Sequence, residues 1–278
     1  MSRTPLLTRS GLPNAVVVGA GGLGMAIARR MAQQHRVILV DIDETLAMRQ
    51  TAVLVDEGGE ALAVQCDVTD SASVARLAAI VEENGGFHAL IHVAGLSIAA
   101  GDFRAILNVN LRGPALVAAN LLPLASVGSC AVLISSMAAH LSRPDDAANQ
   151  MLSDPAHPEL VDRLATHLGP DGATPAAAYA LSKSGLLMLA RHKAAEWGQR
   201  GARIVSLSPG MIATPMGRGA YAESPNKARM FTKSPLQREG AMHEIADAVE
   251  FLVSPRAAFI SGTDLLVDGG LSAALTSP

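Results

Sequence analysis

The sequence contains little cysteine, few aromatic residues and few charges. Among its 278 residues are two cysteines, Cys66 and Cys130, too few for a disulfide framework or a cysteine-based metal site. Because aromatic residues make up only 3%, a core has to be built from Ala, Val, Leu and Ile. Charged residues make up 17% and hydrophobic residues 49%, a composition that excludes an intrinsically disordered chain.

Excess positive charge and long apolar runs are also missing. The formal net charge of −3 provides no basic surface for nucleic acid or for an anionic membrane. No apolar run approaches the roughly 18 residues that a membrane-spanning helix needs. The first 14 residues contain arginines but no continuous apolar stretch of the kind found in signal peptides. We therefore expect a soluble, cytoplasmic protein that binds neither nucleic acid nor membrane.

Short apolar runs alternate with helical patterns along the chain. Strands are predicted at residues 14–18, 36–40, 61–66, 89–93, 131–134, 203–207 and 264–267. Helical patterns separate them, one of which begins with a Ser71 cap. Strands joined by single helices run parallel, because right-handed crossovers return the chain to the same sheet edge. The sequence therefore predicts a single α/β domain over residues 1–278. It has a doubly wound seven-stranded parallel sheet, helices on both faces and an N-terminal extension at residues 1–13.

One segment, residues 140–172, breaks this alternation. Its apolar residues at helical spacing predict an amphipathic helix at 158–168; these are Leu160, Val161, Leu164 and Leu168. We interpret the segment as a helical insertion. Because its apolar stripe has to be buried, a lid over substrate or a contact between subunits is favoured over surface decoration. The histidines of this segment are interpreted as solvated loop residues, so no metal site is predicted; they are His140, His157 and His167.

A glycine-rich turn follows the first predicted strand and leads directly into a helix. Its residues are Gly19, Ala20, Gly21, Gly22, Leu23 and Gly24. Glycines here let backbone amides approach a pyrophosphate, and the helix N-terminus adds unpaired N–H groups and a positive dipole end. Such a turn alone is weak evidence, but the strand before it and the helix after it strengthen it. The turn predicts a dinucleotide site in a Rossmann-type fold.

Carboxylates end the second and third predicted strands. Asp41 lies 22 residues beyond Gly19, where a carboxylate binds both ribose hydroxyls of an adenosine. A 2′-phosphate would meet a like charge there, and Ile42 offers no positive charge, so NAD is favoured over NADP. Asp67, followed by Val68, could bind the adenine amino group. The alternative for either aspartate is to cap the helix that follows it.

A second set of polar residues is typical of acid–base catalysis. Tyr179 and Lys183 are four residues apart near the start of a predicted helix, so they share a face. A tyrosine phenol has an ordinary pKa of about 10, and a nearby ammonium lowers that pKa. Ser136 follows the fifth strand, at the sheet edge where ligands bind in open α/β folds. Asn110 lies within a helical pattern, where asparagine is unfavourable, and this indicates a task for its side chain.

In their order along the chain, these motifs resemble those of the short-chain dehydrogenase/reductase family. The matching segments are the glycine-rich turn, Asp67-Val68, Ala94-Gly95, NVNLRG at 108–113, Ser136, YALSK at 179–183, Ser208-Pro209-Gly210 and VDGG at 267–270. The resemblance covers nearly the whole chain. Each motif alone is unspecific, but the ordered set is highly specific.

The resemblance implies roles for the matching residues. Tyr179 is implied to be the general acid/base, with Lys183 lowering its pKa and holding the nicotinamide ribose. Ser136 is implied to bind the substrate oxygen, and Asn110 to help hold a water for proton relay. Further cofactor contacts are implied for Ala94, Gly95, Pro209, Gly210, Ile212 and Thr214, the last four beside the nicotinamide. The family also implies a homo-oligomer, a dimer or tetramer formed through helix faces.

The chain departs from the family pattern at several points. The phosphate turn has the spacing GxGxxG instead of GxxxGxG, one residue shorter. His92-Val93 occupies the place of two asparagines. Only 15 positions separate Gly95 from Asn110, whereas the 43 between Ser136 and Tyr179 are far more than the family usually has. A shortened segment followed by an insertion is similar to the bacterial 3α-hydroxysteroid dehydrogenase/carbonyl reductase branch.

Together these observations predict an NAD-dependent oxidoreductase that interconverts a secondary alcohol and a ketone. An apolar, steroid-like substrate is favoured if the methionines near the expected active-site mouth line the pocket instead of filling the core. These are Met137, Met151, Met211, Met216 and Met230. The alternative function is a catalytically silent, NAD(H)-sensing regulatory protein of the same fold. Such proteins usually lose the tyrosine or the lysine, and both are present here.

Overall fold

The computed structural model describes residues 11–214 and 230–276, so Met216 and most of the predicted N-terminal extension lie outside the described residues. The strands are β1 (Asn14–Val18), β2 (Arg36–Asp41), β3 (Ala61–Gln65), β4 (Phe87–His92), β5 (Ala125–Ile134), β6 (Arg203–Pro209) and β7 (Asp264–Val267). The helices are α1 (Gly22–Met31), α2 (Glu44–Asp56), α3 (Ser71–Glu83), α4 (Phe103–Leu107), α5 (Gly113–Leu121), α6 (Met137–Leu141), α7 (Asp146–Leu152), α8 (Leu160–Gly172), α9 (Pro175–Gly198), α10 (Met242–Val253) and α11 (Leu271–Thr276).

The seven strands pair in parallel in the order β3-β2-β1-β4-β5-β6-β7. In this register Val16 of β1 lies between Ile38 of β2 and Leu90 of β4. The strand order reverses between β1 and β4, and the carboxyl ends of strands at such a switch point border the ligand crevice of open α/β sheets. The predicted fold class, a doubly wound seven-stranded parallel sheet of Rossmann type, is confirmed.

Helices cover both faces of the sheet because successive strand residues point to opposite sides. Val16 joins a core cluster with α3, α5 and α9, whereas Val17 joins a second cluster with α1 and α10. Each cluster contains one of the two cysteines, which are free and buried. Burial raises the pKa of both thiols, that of Cys130 to about 11, so neither is a reactive thiolate.

The insertion forms α7 and α8, and α7 packs against both α8 and α9. Leu160, Val161 and Leu164 are buried, and they join the core cluster that includes α9. The helical conformation of α8 is interrupted at Gly169, which has a φ of 68°. Ion pairs add to this packing, between Arg104 of α4 and Asp162, and between His167 and Asp145. The apolar stripe of the insertion is therefore buried within its own chain, whereas His167 is exposed, as expected, although it lies in a helix and not in a loop.

Several predicted boundaries differ from the structure by a few residues, and two of the differences have clear local reasons. Strand β5 begins at Ala125, well before the predicted start at residue 131. The residues of its first half are small and partly polar and therefore have no strand pattern. They form a strand because they pair with β4 across a register shift between Phe87 and Ala89. The cap of α3 is Asp70 instead of Ser71, since the Asp70 carboxylate accepts the backbone N–H groups of Ala72 and Ser73.

The helical run Phe103–Leu124, 22 residues long, is apolar and long enough to cross a membrane by length and composition alone. Two arginines, Arg104 and Arg112, interrupt it, which is why the sequence shows no continuous apolar stretch there. Within its most apolar window 61% is buried inside the protein. The core helix of a soluble protein has the same properties, so this run is weak evidence for a membrane span.

Candidate active site

The glycines of the turn between β1 and α1 have different surroundings. At two of them a side chain would collide with the backbone, and at a third it would meet open space. Gly19 has a φ of +108°, and a Cβ there would lie 2.7 Å from the backbone nitrogen of Ala94. A Cβ on Gly24 would overlap the Gly19 carbonyl oxygen. Gly21 precedes the first turn of α1, and a Cβ there would have no neighbour within 4 Å. Gly19 and Gly24 therefore shape the turn, while Gly21, followed by Gly22 and Leu23, leaves space at the helix N-terminus.

Asp41 connects the end of β2 to this turn. Its Oδ2 accepts the N–H of Ala20 at 2.7 Å, and its Oδ1 accepts the N–H of Asp43 at 3.0 Å. The cap of α2 is Asp43, which accepts the N–H of Leu46. A capping role for Asp41 is therefore wrong. Ile42, with 61% of its surface exposed, extends beside Asp41 into solvent.

Asp67 and Val68 close the same edge of the sheet beyond β3. Asp67 Oδ1 accepts the N–H of Thr69 at 2.8 Å and its hydroxyl at 2.7 Å, so the carboxylate forms a local turn. Because α3 is capped by Asp70, a capping role for Asp67 is also wrong. Val68 is buried where it meets Gly113, at which a Cβ would lie 2.7 Å from Val68 Cγ2.

Asn110 lies in a π-helical segment, Asn108–Arg112, between α4 and α5. Its side chain is fully buried. Its Oδ1 accepts the N–H of Leu96 at 2.7 Å, and its Nδ2 donates to the Leu96 carbonyl at 2.9 Å. A Cβ on Gly95 would lie 3.1 Å from Asn110 Oδ1 and 3.7 Å from Lys183 Nζ. The locally widened helix thus lets Asn110 hold the loop after β4 close to Lys183.

Lys183 is buried below the end of β5. Its Nζ donates to the Ile134 carbonyl at 2.9 Å, and its own carbonyl accepts the Ser135 hydroxyl at 2.8 Å. Burial lowers the pKa of Lys183 to about 8, because an ammonium loses solvation there. Its Nζ lies 5.8 Å from the centroid of the Tyr179 ring.

Tyr179 is partly buried and lies beside Ser136. Burial raises the pKa of Tyr179, and the interaction with the Ser136 side chain acts against that rise. Lys183 is not among the groups that lower this pKa in the structure, contrary to the role expected for it. Ser136 also caps α6, since its Oγ accepts the N–H of Ala138 at 3.2 Å.

The residues expected beside the nicotinamide form one strand end and the loop after it. Pro209 ends β6, and Gly210 donates its N–H to the Val267 carbonyl at 2.9 Å. A Cβ on Gly210 would lie 2.6 Å from the Asp268 Cα, so only glycine fits this approach. Ile212 forms an isolated bridge with Gly240, and Thr214 is the last residue described before the gap.

Sequence reasoning missed a buried polar network beside this site. His140 Nε2 lies 2.8 Å from Asp264 Oδ2, and Asp264 Oδ1 accepts the hydroxyls of Ser206 at 2.5 Å and Ser208 at 3.0 Å. The interpretation of His140 as a solvated loop residue is therefore wrong. The sequence feature that could have indicated this network is the pair Ser206 and Ser208 in the otherwise apolar β6. Because they are two positions apart, their side chains point to the same buried face of the sheet, where hydroxyl groups need a hydrogen-bond partner.

A second missed residue is His92, at the end of β4. It is buried, its Nε2 has no hydrogen-bond partner, and burial together with the charge of Lys183 lowers its pKa to about 3. The imidazole of His92 is therefore uncharged at neutral pH, beside the ammonium of Lys183. Within residues 11–214 and 230–276, no group of three or more His, Cys, Asp or Glu side chains could hold a metal ion.

Comparison with known proteins gives consistent similarities. A family model described as enoyl-(acyl carrier protein) reductase matches residues 18–177 and 169–272. The chain is 31% identical over 264 residues to short-chain dehydrogenase/reductase bsc3 of Alternaria brassicicola, covering 94% of this chain and 96% of that protein. It is 31% identical over 268 residues to D-threitol dehydrogenase of Mycolicibacterium smegmatis, covering 92% and 91%. The crystal structure of gox2181 superimposes with a TM-score of 0.77 at 25% identity, covering 94% and 96%.

Proposed function

This chain belongs to the short-chain dehydrogenase/reductase family, and we propose that it interconverts a secondary alcohol and a ketone with NAD, using Tyr179 as general acid/base. Family membership makes it an oxidoreductase of alcohols or ketones with a nicotinamide dinucleotide cofactor. The observation that carries the proposal is the placement of Tyr179 5.8 Å from the Nζ of Lys183, which is buried and donates to the Ile134 carbonyl at the carboxyl end of β5, with Ser136 beside the phenol. The relatives are named as dehydrogenases and reductases, which gives the alternative of an NAD(H)-sensing regulator no support.

The residues of the first turn fit a dinucleotide. Gly21 leaves open space at the N-terminus of α1, where backbone N–H groups can receive a pyrophosphate. Each carboxylate oxygen of Asp41 accepts one hydrogen bond from the backbone and retains a lone pair for a ribose hydroxyl. The exposed Ile42 provides no cation for a 2′-phosphate. This arrangement favours NAD over NADP.

When bound, the nicotinamide accepts a hydride from the substrate carbon or donates one to it. In alcohol oxidation Tyr179 takes the hydroxyl proton, and in ketone reduction it returns that proton to the oxygen. Ser136 orients the same substrate oxygen, while the Lys183 Nζ lies 5.8 Å from the centroid of the Tyr179 ring. Lys183 has three N–H donors and uses one on Ile134, so others are available to a ribose.

The direction of the Tyr179 pKa has a consequence for the reaction. Burial keeps the phenol protonated at neutral pH, and this is the form that ketone reduction needs. Alcohol oxidation needs the phenolate and is therefore expected to accelerate as the pH rises.

An apolar substrate is favoured by the side chains around the site. Met137 is buried directly after Ser136 in α6. Leu236 is 60% exposed and borders Gly269, in the turn that packs on Gly210. Met151, by contrast, packs against the core with the insertion and therefore lies with the core side chains. We infer a bulky apolar alcohol or ketone, steroid-like in shape.

The test is NADH formation from NAD⁺ over a panel of secondary alcohols, including 3α- and 17β-hydroxysteroids. Tyr179→Phe is expected to lower kcat by about 10² or more, because it removes the proton acceptor, while NADH binding is retained. The matched control is Tyr221→Phe, which alters the only other tyrosine. Normal turnover by Tyr179→Phe would contradict the assigned role. NADH binding without turnover of any alcohol, ketone or enone would favour the regulatory alternative.

The cofactor preference is tested by removing the Asp41 charge. Asp41→Asn is expected to lower kcat/KM for NAD⁺ and to raise the NADP⁺ to NAD⁺ ratio about tenfold, because the repulsion of a 2′-phosphate is lost. Asp56→Asn, at the exposed far end of α2, makes the same change of net charge and serves as control. An unchanged ratio in Asp41→Asn would refute the role of this carboxylate.

Four further properties are proposed with this activity. We infer a single catalytic domain with a cytoplasmic location and a homo-oligomeric state, the latter favoured by the fully exposed side chain of Phe259. The insertion, whose apolar stripe is buried within its own chain, is proposed to act as a lid or a contact between subunits through its exposed side, which carries Arg163, Thr166 and His167. Deleting residues 143–170 should change KM or the subunit number measured by light scattering. If neither changes, the insertion has neither role.

A further inference from the structure

A network of buried polar groups lies on the sheet face that α6 covers. The Asp264 side chain is only 10% exposed, and Ser206 and Ser208 are fully buried. The carboxylate receives two serine hydroxyls on Oδ1, and His140 Nε2 on Oδ2 at 2.8 Å. Both serines lie on β6 and Asp264 begins β7, so only His140 belongs to a helix. Its imidazole therefore joins α6 to the sheet.

The position of His140 in α6 connects this network to the proposed catalytic group. Helix α6 has five residues, too few to be stable without contacts to the rest of the protein. Ser136 caps its beginning and interacts with Tyr179, lowering the pKa of the phenol, while His140 holds its last turn on Asp264. At this end of the helix, Arg143 donates to the backbone carbonyls of His140 and Ser142.

We propose that His140 is a positioning residue: through its hydrogen bond to Asp264 it fixes α6 and thereby holds Ser136, the cap of that helix, beside Tyr179. This inference rests on the proposed function, in which Tyr179 exchanges the proton. His140 touches neither Tyr179 nor the reacting atoms. It acts because a short helix anchored at both ends keeps its first residue in place, whereas the same helix released at one end does not.

The direct test measures the ionisation of Tyr179 without cofactor or substrate. The chain contains two tyrosines, so protein labelled with ¹³Cζ-tyrosine gives two resonances, and Tyr221→Phe assigns them. Titration to alkaline pH then reports the pKa of Tyr179. His140→Leu removes the donor to Asp264. His140→Gln places an amide N–H close to the position of Nε2 and is the conservative variant. His157→Leu, in the same segment but away from β6 and β7, is the matched control.

We expect His140→Leu to raise the pKa of Tyr179, because a displaced Ser136 no longer acts against the effect of burial. His140→Gln and His157→Leu should leave that pKa at the wild-type value. In turnover, His140→Leu should lower kcat about tenfold with an unchanged KM for NAD⁺, and His140→Gln should recover most of the loss. If His140→Leu does not fold, Asp264→Asn, which removes the acceptor charge with little change of shape, is expected to give the same pattern.

The results separate this inference from the proposed function. An unchanged pKa of Tyr179 and an unchanged kcat in both His140→Leu and Asp264→Asn would overturn the positioning role. A loss that His140→Gln fails to recover would also overturn it, because the effect would then not depend on the donor. If wild-type protein turns over no substrate, the proposed function fails, whereas the titration of Tyr179 still decides whether His140 positions Ser136.

Discussion

Replacing Lys183 with methionine is expected to change how the stability of the cofactor-free protein depends on pH. Lys183 is 5% exposed, and burial lowers its pKa to about 8 from an ordinary 10.5. A buried ammonium costs free energy because its lost solvation is only partly replaced by the hydrogen bond to Ile134. Methionine fills a similar volume without a charge.

The magnitude follows from the two pKa values. A tenfold change in proton affinity is worth about 1.4 kcal/mol, so the shift corresponds to roughly 3 kcal/mol of unfolding free energy. Below pH 8 both the folded and the unfolded chain carry the proton, and the full cost is present. As the pH rises from 8 to 10.5, the folded chain loses the proton first and the cost disappears. Stability contributed by this group therefore increases with pH.

The assay is urea unfolding of wild-type and Lys183→Met protein, free of nucleotide, at several pH values from 7 to 10. The variant loses the donor to the Ile134 carbonyl at every pH, at a cost of about 1–3 kcal/mol. At pH 7 it escapes the ammonium cost, so its net stability should be equal to or slightly above that of wild type. Its advantage over wild type should then decrease by about 2–3 kcal/mol towards pH 10.

Comparing variant and wild type at each pH cancels the titration of all other groups. Lys193→Met is the matched control, since Lys193 lies on the same helix with 43% of its side chain exposed. Its stability difference from wild type should not depend on pH over this range. A Lys183→Met difference that stays constant from pH 7 to 10 would refute the conclusion that burial controls this lysine.

Two further predictions concern the glycine turn and the insertion. In urea unfolding, Gly24→Ala should destabilise the protein by about 3 kcal/mol or more, because its Cβ overlaps the Gly19 carbonyl oxygen. Gly21→Ala should cost less than about 1 kcal/mol of unfolding free energy, because its Cβ meets no neighbour. It should nevertheless weaken NAD⁺ binding at least tenfold. Equal stability losses in the two variants would contradict this division. Leu164→Ala should cost about 2–5 kcal/mol because Leu164 is fully buried with the core, against about 0.5 kcal/mol for the exposed Leu236→Ala. A loss below about 1 kcal/mol for Leu164→Ala would show that the insertion is not part of the core.

Much of the fold could be predicted because its signals are local. Continuous apolar runs bounded by helical patterns identified all seven strands, and crossover handedness made them parallel. The first half of β5 could not be found this way. Residues 125–129 are small and partly polar and include Gly128 with a φ of 90°, so they have no strand pattern of their own. They become a strand because β4 offers hydrogen bonds across an irregular register.

Parts of the candidate site were equally local. The glycine turn and the pairing of Tyr179 with Lys183 depend on spacings of a few residues, and the structure keeps both. The capping alternatives for Asp41 and Asp67 could not be decided from spacing. The cap of α2 is Asp43 and the cap of α3 is Asp70, each only a few residues from the predicted aspartate. Only the positions of the backbone N–H groups in the structure show which carboxylate accepts them.

The sequence by itself determined the succession of strands and helices, the dinucleotide turn and the identity of the proposed acid/base group, because each depends on residues close together in the chain. Only the tertiary structure decided which groups meet over long separations. His140 meets Asp264 across 124 positions, and Lys183 meets the Ile134 carbonyl across 49. It also decided the pKa directions of Tyr179 and Lys183, because desolvation depends on what covers a side chain in three dimensions, and no local pattern encodes that.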